Sequence, residues 1–420
     1  MSPQALVAAF NGLNVVASFA VHLLIYRAFG ASTETDAYFA SLAIPQLLAA
    51  VLATTSAGAL VPALAGQASA EQNRHAWALL IAVGGAVALL TVPMSVFTGA
   101  WTPMLFPGFI GSHQTVVAKL AAIQVLAVPF IAANAVLTAL HQARGLFLRV
   151  EAIGLCMSLS VALGLHLALP RFGLIAAAWL FFAKHCLQTM VLAAILEATR
   201  APLRLSDVLP FWRPARVLLV GNAYFKTDIL VDRHLLSMGA AGSMSLFSLA
   251  QTMYAAVAGI IGQGWGSTAV PGLSVSYGRR DRRTFLALVW RNGWRIAVVA
   301  LLAFALVSAL AQPVLSALTS QRVTTEDGTA LWVLLLLLGG IPLFASLGSL
   351  VSGAFYATGD TATPTVVSAV TFTAFVIGKV VVFQSLGLAA FCILTTCYYA
   401  GNVIILGTIL YKRLNQVFNS

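Results

Sequence analysis

Roughly twelve apolar stretches, each about twenty residues long and joined by short polar connections, leave this chain one kind of fold. A stretch of that length crosses the hydrocarbon core of a bilayer as an α-helix. Within lipid every backbone amide and carbonyl needs a partner, so only helices and closed barrels span. The stretches fall near residues 5–29, 37–65, 77–102, 115–140, 149–169, 173–196, 217–239, 243–272, 285–317, 330–356, 364–386 and 388–411. Charged residues are 8% of the chain, against about 25% in soluble domains. The fold class is therefore an all-α membrane protein.

The connections alternate in charge, except that ATGDTATP after the tenth span has no Lys or Arg. After even-numbered spans they carry Arg74, then Arg144 and Arg149, then Arg200, Arg204, Arg213 and Arg216, then Arg279, Arg280, Arg282 and Arg283. The C-terminal tail adds Lys412 and Arg413. The intervening connections hold STETD at 32–36, PGFIGSHQ at 107–114 and SQRVTTEDG at 320–328, with a single Arg among them. Basic connections stay in the cytoplasm, which sets both termini there. The same distribution accounts for the net charge of +11 without nucleic acid. Cys156, Cys186, Cys392 and Cys397 lie in apolar spans without CxxC spacing, so they suggest neither a disulfide framework nor a zinc site. The first span has no basic n-region and outruns an h-region, unlike a signal peptide.

The chain also repeats itself. Gly12, Gly30, Pro62 and Leu64 recur as Gly221, Gly239, Pro271 and Leu273 at one offset of 209, and FGLIAAA at 172–178 echoes LGLAAFC at 386–392. Six spans per repeat is an even number, so the halves run the same way through the membrane. That predicts two six-helix lobes related by a pseudo-two-fold axis along the membrane normal, around a central cavity. The N-lobe is 1–196, the cytoplasmic amphipathic linker 197–216 and the C-lobe 217–420. Pro45, Pro62, Pro93, Pro129 and Pro342 fall inside spans, where each removes a ladder hydrogen bond. TTSAG at 54–58 and GIIGQGWGS at 259–267 permit close helix approach or bending.

The seventh span, VLLVGNAYFKTDILVDRHLLSMG, carries most of the intramembrane charge. A charge at the bilayer centre costs about 2.5–3.5 kcal/mol on insertion scales, so it faces a partner or a wet cavity. At about 100° per residue, Asn222, Lys226 and Arg233 share one stripe, while Gly221, Asp228 and Asp232 lie nearly opposite. Structural ion pairs are the alternative. Lys379 has only apolar neighbours in sequence and either lines a site or snorkels. Lys184 and His185 lie midway along the sixth span, with Tyr398 and Tyr399 at a similar level in the twelfth. Arg291 and Arg295 share a helix face between Trp290 and Trp294, which an interfacial aromatic–basic belt also explains. There is no GxxxxGK[ST], HExxH or GxSxG, and no connection is long enough for a catalytic domain. Cationic side chains at depth suit an anionic or amphiphilic cargo, because a phosphate satisfies them away from water.

At this point a family resemblance appears. AFGASTETDAYFASLAIPQLL at 28–48 resembles the MurJ/MviN lipid II flippases, whose typical form reads FGA…TDAFF…PNLL. ILVDRHLLSMGAAGSMSLFSLAQTM at 229–253, AVPGLS at 269–274 and FYATGDTATPTVV at 355–367 resemble later stretches of the same family in the same order. The wider superfamily also holds O-antigen-type oligosaccharide flippases and multidrug–cation antiporters. The resemblance implies a central cationic cavity, alternating access and a polyprenyl-diphosphate-linked glycan as cargo. Asp36 matches the family's acidic residue in TDAFF. The family's first-helix arginines fall on Val15 and Val21, its adjacent aspartate on His22, its paired arginines on Ala49 and Ala50, and its eighth-helix Asp-Arg on Gln251 and Thr252.

The expectation is an inner-membrane flippase for lipid II or a related surface-polysaccharide precursor, acting as a monomer without a cofactor. Membrane potential, Na+ or H+ would drive it. Lys226, Arg233, Lys379, Arg291 and Asn222 would bind substrate, and Asp36, Asp228 and Asp232 would gate or bind a coupling ion. A cation-coupled multidrug exporter and a non-transporting scaffold of glycan assembly remain as alternatives.

Overall fold

The computed structural model describes residues 3–194, 196, 204–318 and 323–419. Residues 197–203 of the expected linker, with Arg200, and residues 319–322 lie outside that set. Every long element is an α-helix. In chain order these are α1 (Pro3–Phe29), α2 (Thr33–Leu64), α3 (Ser69–Val96), α4 (Ser112–Ala143), α5 (147–172), α6 (174–193), α7 (209–237), α8 (Ser243–Gly278), α9 (Arg282–Leu318), α10 (Thr325–Ala357), α11 (362–386) and α12 (388–419). A short helix, Thr98–Leu105, joins α3 to α4.

Among the described residues, nine continuous helices are long and apolar enough to cross a bilayer. Two of the nine fold back on themselves, which makes eleven, and the expected seventh span, α7, is interrupted and is not among the nine. The folds come at Gly173 (φ 60°) and Gly387 (φ 74°), the glycines of the two echoed motifs. A Cβ added to Gly164 would lie 2.9 Å from Leu180 Cδ2, and one added to Gly378 would lie 3.3 Å from Leu394 Cδ2. Residues sixteen apart on a straight helix are about 24 Å apart, so α5–α6 and α11–α12 are hairpins. Positive φ at each turn is what glycine supplies without steric cost.

The chain divides into two compact units, Met1–Ser245 and Leu246–Ser420. In the first, Leu60, Leu64, Leu79, Val136, Ala139, Leu140 and Phe211 form a closed apolar cluster. In the second, Leu273, Phe285, Val351, Ala354, Phe355, Leu406, Leu410 and Leu414 do the same. The repeat landmarks Leu64 and Leu273 are both fully buried.

Phe211 is the anchor that places the linker. Residues 209–216, expected in a surface segment, are the first turns of α7, entered through Pro210 where a missing amide costs nothing. Just before them Asp207 pairs with Arg74 at 2.8 Å and accepts the Arg204 amide at 3.0 Å.

Both bulge-prone motifs are single π-helical turns, Ser56–Leu60 in α2 and Gly262–Gly266 in α8. Each lies shortly before a Val-Pro pair, Val61-Pro62 or Val270-Pro271. Proline cannot donate back into the ladder, so the turn ahead of it widens at little further loss.

Candidate functional site

Helix α7 consists of Leu209–Lys226 and Asp228–Ser237. At Thr227 the ladder tightens: its amide bonds Tyr224 O at 3.2 Å, three residues back, and its hydroxyl bonds the same carbonyl at 2.7 Å. A threonine hydroxyl competing for a backbone carbonyl in this way commonly disturbs a helix. The flanking residues fit the interruption. Lys226 ends one segment and Asp228 opens the next, each with the charge its helix end favours. Asp228 Oδ1 also accepts the Ile229 amide at 3.0 Å.

The upper segment of α7 lies against the π-turn of α2. Asn222 Nδ2 donates to Thr55 Oγ1 at 3.1 Å, and a Cβ on Gly58 would stand 3.0 Å from Leu218 Cδ1. Lys226 is half-buried one turn beyond Asn222. An interrupted span beside a bulged span is the main irregularity of the first unit.

The lower segment is tightly held. Asp232 and Arg233 are 2% and 5% exposed. The Arg233 guanidinium lies 5.9 Å from the centre of the Phe39 ring, within electrostatic reach of Asp232 and Asp36. Asp36 spends both carboxylate oxygens on backbone: Oδ2 accepts the Gly242 amide and Oδ1 the Ser245 amide, each at 2.7 Å. Exposed amides at a helix start are a ready anion site, here filled by a side chain. Gly242 has φ 86°, and a Cβ there would lie 2.6 Å from Ala31 Cβ. Nearby, the Gly108 amide donates to Ser237 Oγ at 3.3 Å, and His234 Nδ1 meets Leu105 O at 2.9 Å. Residues 30–36, 105–108 and 234–245 thus form one knot of backbone and short side chains.

The second unit holds the other two expected site residues. Lys379 is 1% exposed, its Nζ 4.3 Å from the Phe375 ring centre and 4.9 Å from that of Phe391. Arg291 lies on an exposed face of α9 with Trp290, Trp294 and Arg295. Within that unit the two stand in different settings, one boxed by rings and one facing outward.

Sequence reasoning missed a polar chain across α1, α5 and α6. Lys184 Nζ donates to Ser158 Oγ at 3.1 Å, and Ser158 Oγ donates to Asn14 Oδ1 at 2.8 Å. The signal was the spacing of Asn14, Ser18 and His22 at every fourth position of α1, which puts them on one helix face. Among the described residues no group of three or more His, Cys, Asp or Glu could hold a metal ion.

Many apolar helices, charges at depth and interrupted spans define a polytopic membrane carrier. The sequence model of the family "Lipid II flippase MurJ" matches residues 25–420, and the chain belongs to that family. It is accordingly a flippase of the lipid-linked-glycan class, a transporter rather than an enzyme. Among solved structures, a lipid II flippase MurJ in an inward closed conformation is similar with a TM-score of 0.81 and 16% identity, covering 96% of this chain and 86% of that one. An inward-facing multidrug resistance MATE transporter of the MOP superfamily gives 0.80 and 15%, covering 97% and 96%. A MOP superfamily transporter from Pyrococcus furiosus gives 0.67 and 13%, covering 99% and 96%. At such identities the likeness is one of fold. A search of curated proteins found no match.

Proposed function

We propose that the chain works in the bacterial inner membrane, both termini in the cytoplasm, as a monomeric flippase. Its cargo is a polyprenyl-diphosphate-linked glycan, lipid II or a related surface-polysaccharide precursor, moved outward by alternating access between two lobes. The observation that carries the mechanism is the interruption of α7 at Thr227 beside the π-turn of α2. Interrupted spans are where carriers keep their binding sites.

In this reading Lys226 is the phosphate contact. Its ammonium ends a helix segment and retains exposure, and a diphosphate offers it charge-assisted hydrogen bonds. Asn222 sets the register of α7 against α2 through Thr55. Asp228 keeps the helix restart in place. Asp36 is the gate residue: its carboxylate ties the 239–245 turn to the start of α2 and releases it when the outer end opens. Arg233 and Asp232 stand behind that tie as its electrostatic support. Lys379 and Arg291 act in the body of the second unit and at the membrane interface, rather than on cargo. An ion gradient or the membrane potential supplies the drive.

The test is complementation of a strain depleted of its lipid II flippase. Wild type should restore growth, Lys226→Ala should lose it, and Lys226→Arg should keep part of it. A membrane-inserted wild type that fails to restore growth would rule out lipid II as cargo and turn the search to other polyprenyl-linked glycans. Loss of activity in Asp228→Asn, with Lys226→Ala fully active, would favour a cation-coupled exporter.

A further inference from the structure

Lys184 stands eleven residues past the hairpin turn at Gly173, about 16 Å into a hydrocarbon core of roughly 30 Å. It is therefore an amine near the middle of the membrane. Its hydrogen bond goes to the neutral hydroxyl of Ser158, which in turn donates to Asn14 Oδ1, with Ser18 Oγ 3.4 Å from Ser158 Oγ. The groups facing this point from α1 are Asn14, Ser18 and His22, and from α5 Ser158. On α6 the neighbour is His185, and Arg233 of α7 and Lys184 both stand near His22. Asp36 of α2 is committed to the Gly242 and Ser245 amides. From α4 comes the neutral Asn134, which bonds the carbonyl of His185. Among the described residues no carboxylate acts on Lys184. The other titratable groups named here, His22, His185 and Arg233, carry either no charge or a positive one.

An ammonium at that depth without a counter-ion has two ways to become stable: it takes up an anion, or it gives its proton to water. The partners decide between them. Hydroxyl and amide groups serve an amine and an ammonium alike, because a hydroxyl donates or accepts by rotating. With its own hydrogen on Asn14 Oδ1, Ser158 presents a lone pair to Nζ and no donor for an anion beside it. We propose that Lys184, with Ser158, Asn14 and Ser18, is a proton-binding site of this carrier, taking one proton from water onto Nζ and returning it during the transport cycle. The cyclic role rests on the carrier reading above, whereas proton exchange at Nζ does not.

The chain has five lysines, Lys119, Lys184, Lys226, Lys379 and Lys412. Labelling with 13Cε-lysine gives five resonances from the full chain in nanodiscs, and Lys184→Met identifies one of them. Raising the pH from 6 to 9 should move that resonance from its ammonium to its amine position. Ser158→Ala removes the acceptor of the ammonium, and should move its midpoint down by about one pH unit while leaving the other four unchanged. Should Lys184→Met fail to fold, the selective shift in Ser158→Ala identifies the resonance instead. A Lys184 resonance that stays at the ammonium position through pH 9 overturns the proposal, as does one that titrates identically in Ser158→Ala. No cargo is present, so neither result bears on whether the chain is a flippase.

Discussion

The amide of Ser245 donates to the carboxylate of Asp36 at 2.7 Å, and the two residues are 209 positions apart, the offset at which the chain repeats itself. The start of α2 and the start of α8 meet there. The neighbouring turns do the same, since Gly242 leaves no room for a Cβ against Ala31. One carboxylate therefore fastens both the Gly242 and the Ser245 amides to the start of α2.

Replacing Asp36 with Asn should weaken that tie. The amide would present donors to donors on one side and lose the charge-assisted bonds on the other. We expect a loss of about 2 kcal/mol, seen as a lower thermal melting midpoint in detergent. Asp36→Glu should fall between, because the longer arm cannot reach both amides unstrained.

Glycine substitutions should separate by place. A Cβ on Gly108 would sit 1.8 Å from Ser237 O, a contact with backbone that cannot yield, so Gly108→Ala should abolish stable insertion. Gly84→Ala, where nothing lies within 4 Å, should express like wild type. Fluorescence size-exclusion of tagged variants reads both.

Asp207 should make the linker's attachment pH-dependent. The Arg204 amide, and then Arg74, hold its carboxyl below the usual carboxylate range. A depressed folded value means the contribution is complete above the unfolded value near pH 4 and fades as pH falls through the folded one. Wild type and Asp207→Asn should therefore differ at pH 6–8 and converge as pH falls through the folded value. The emission of Trp212, next to the Phe211 anchor, reports the change.

Lys379→Met should be tolerated. Two rings shield the ammonium, a cation–π setting that contributes about 2 kcal/mol when desolvated. Met fills similar space and also packs well on rings. Complementation should survive Lys379→Met and fail with Lys226→Ala; equal failure of the two would return Lys379 to the cargo path.

The sequence made the spans legible because each is a continuous local signal, and the FGL and LGL echoes marked both hairpin turns. It also picked out the irregular places: TTSAG and GIIGQGWGS became π-turns, and the charges of helix α7 surround its interruption. What it could not show depends on partners far along the chain. Nothing near Asp36 in sequence announces the amides of Gly242 and Ser245. The stripe logic put Asn222 and Arg233 together, yet Asn222 bonds Thr55 and Arg233 lies over Phe39, because different neighbours meet the two segments. Lys379 looked bare among FVIG and VVVF, and the ring that completes its box, Phe391, arrives only after the hairpin turns. Lys184 gained its meaning from helices α1 and α5, which no local window includes.

The two π-turns have an effect on how such a chain can change over time. A turn closed from residue i to i+5, as Val61 N–H to Ser56 O, holds one residue more than an α-turn. Losing one residue there would restore ordinary helix and leave the faces beyond it aligned with their neighbours. Anywhere else in α2 or α8 the same deletion would rotate everything downstream by about 100°. Ser56–Leu60 and Gly262–Gly266 are thus where these spans can absorb a change in length, and an insertion–deletion scan should find its tolerant positions there.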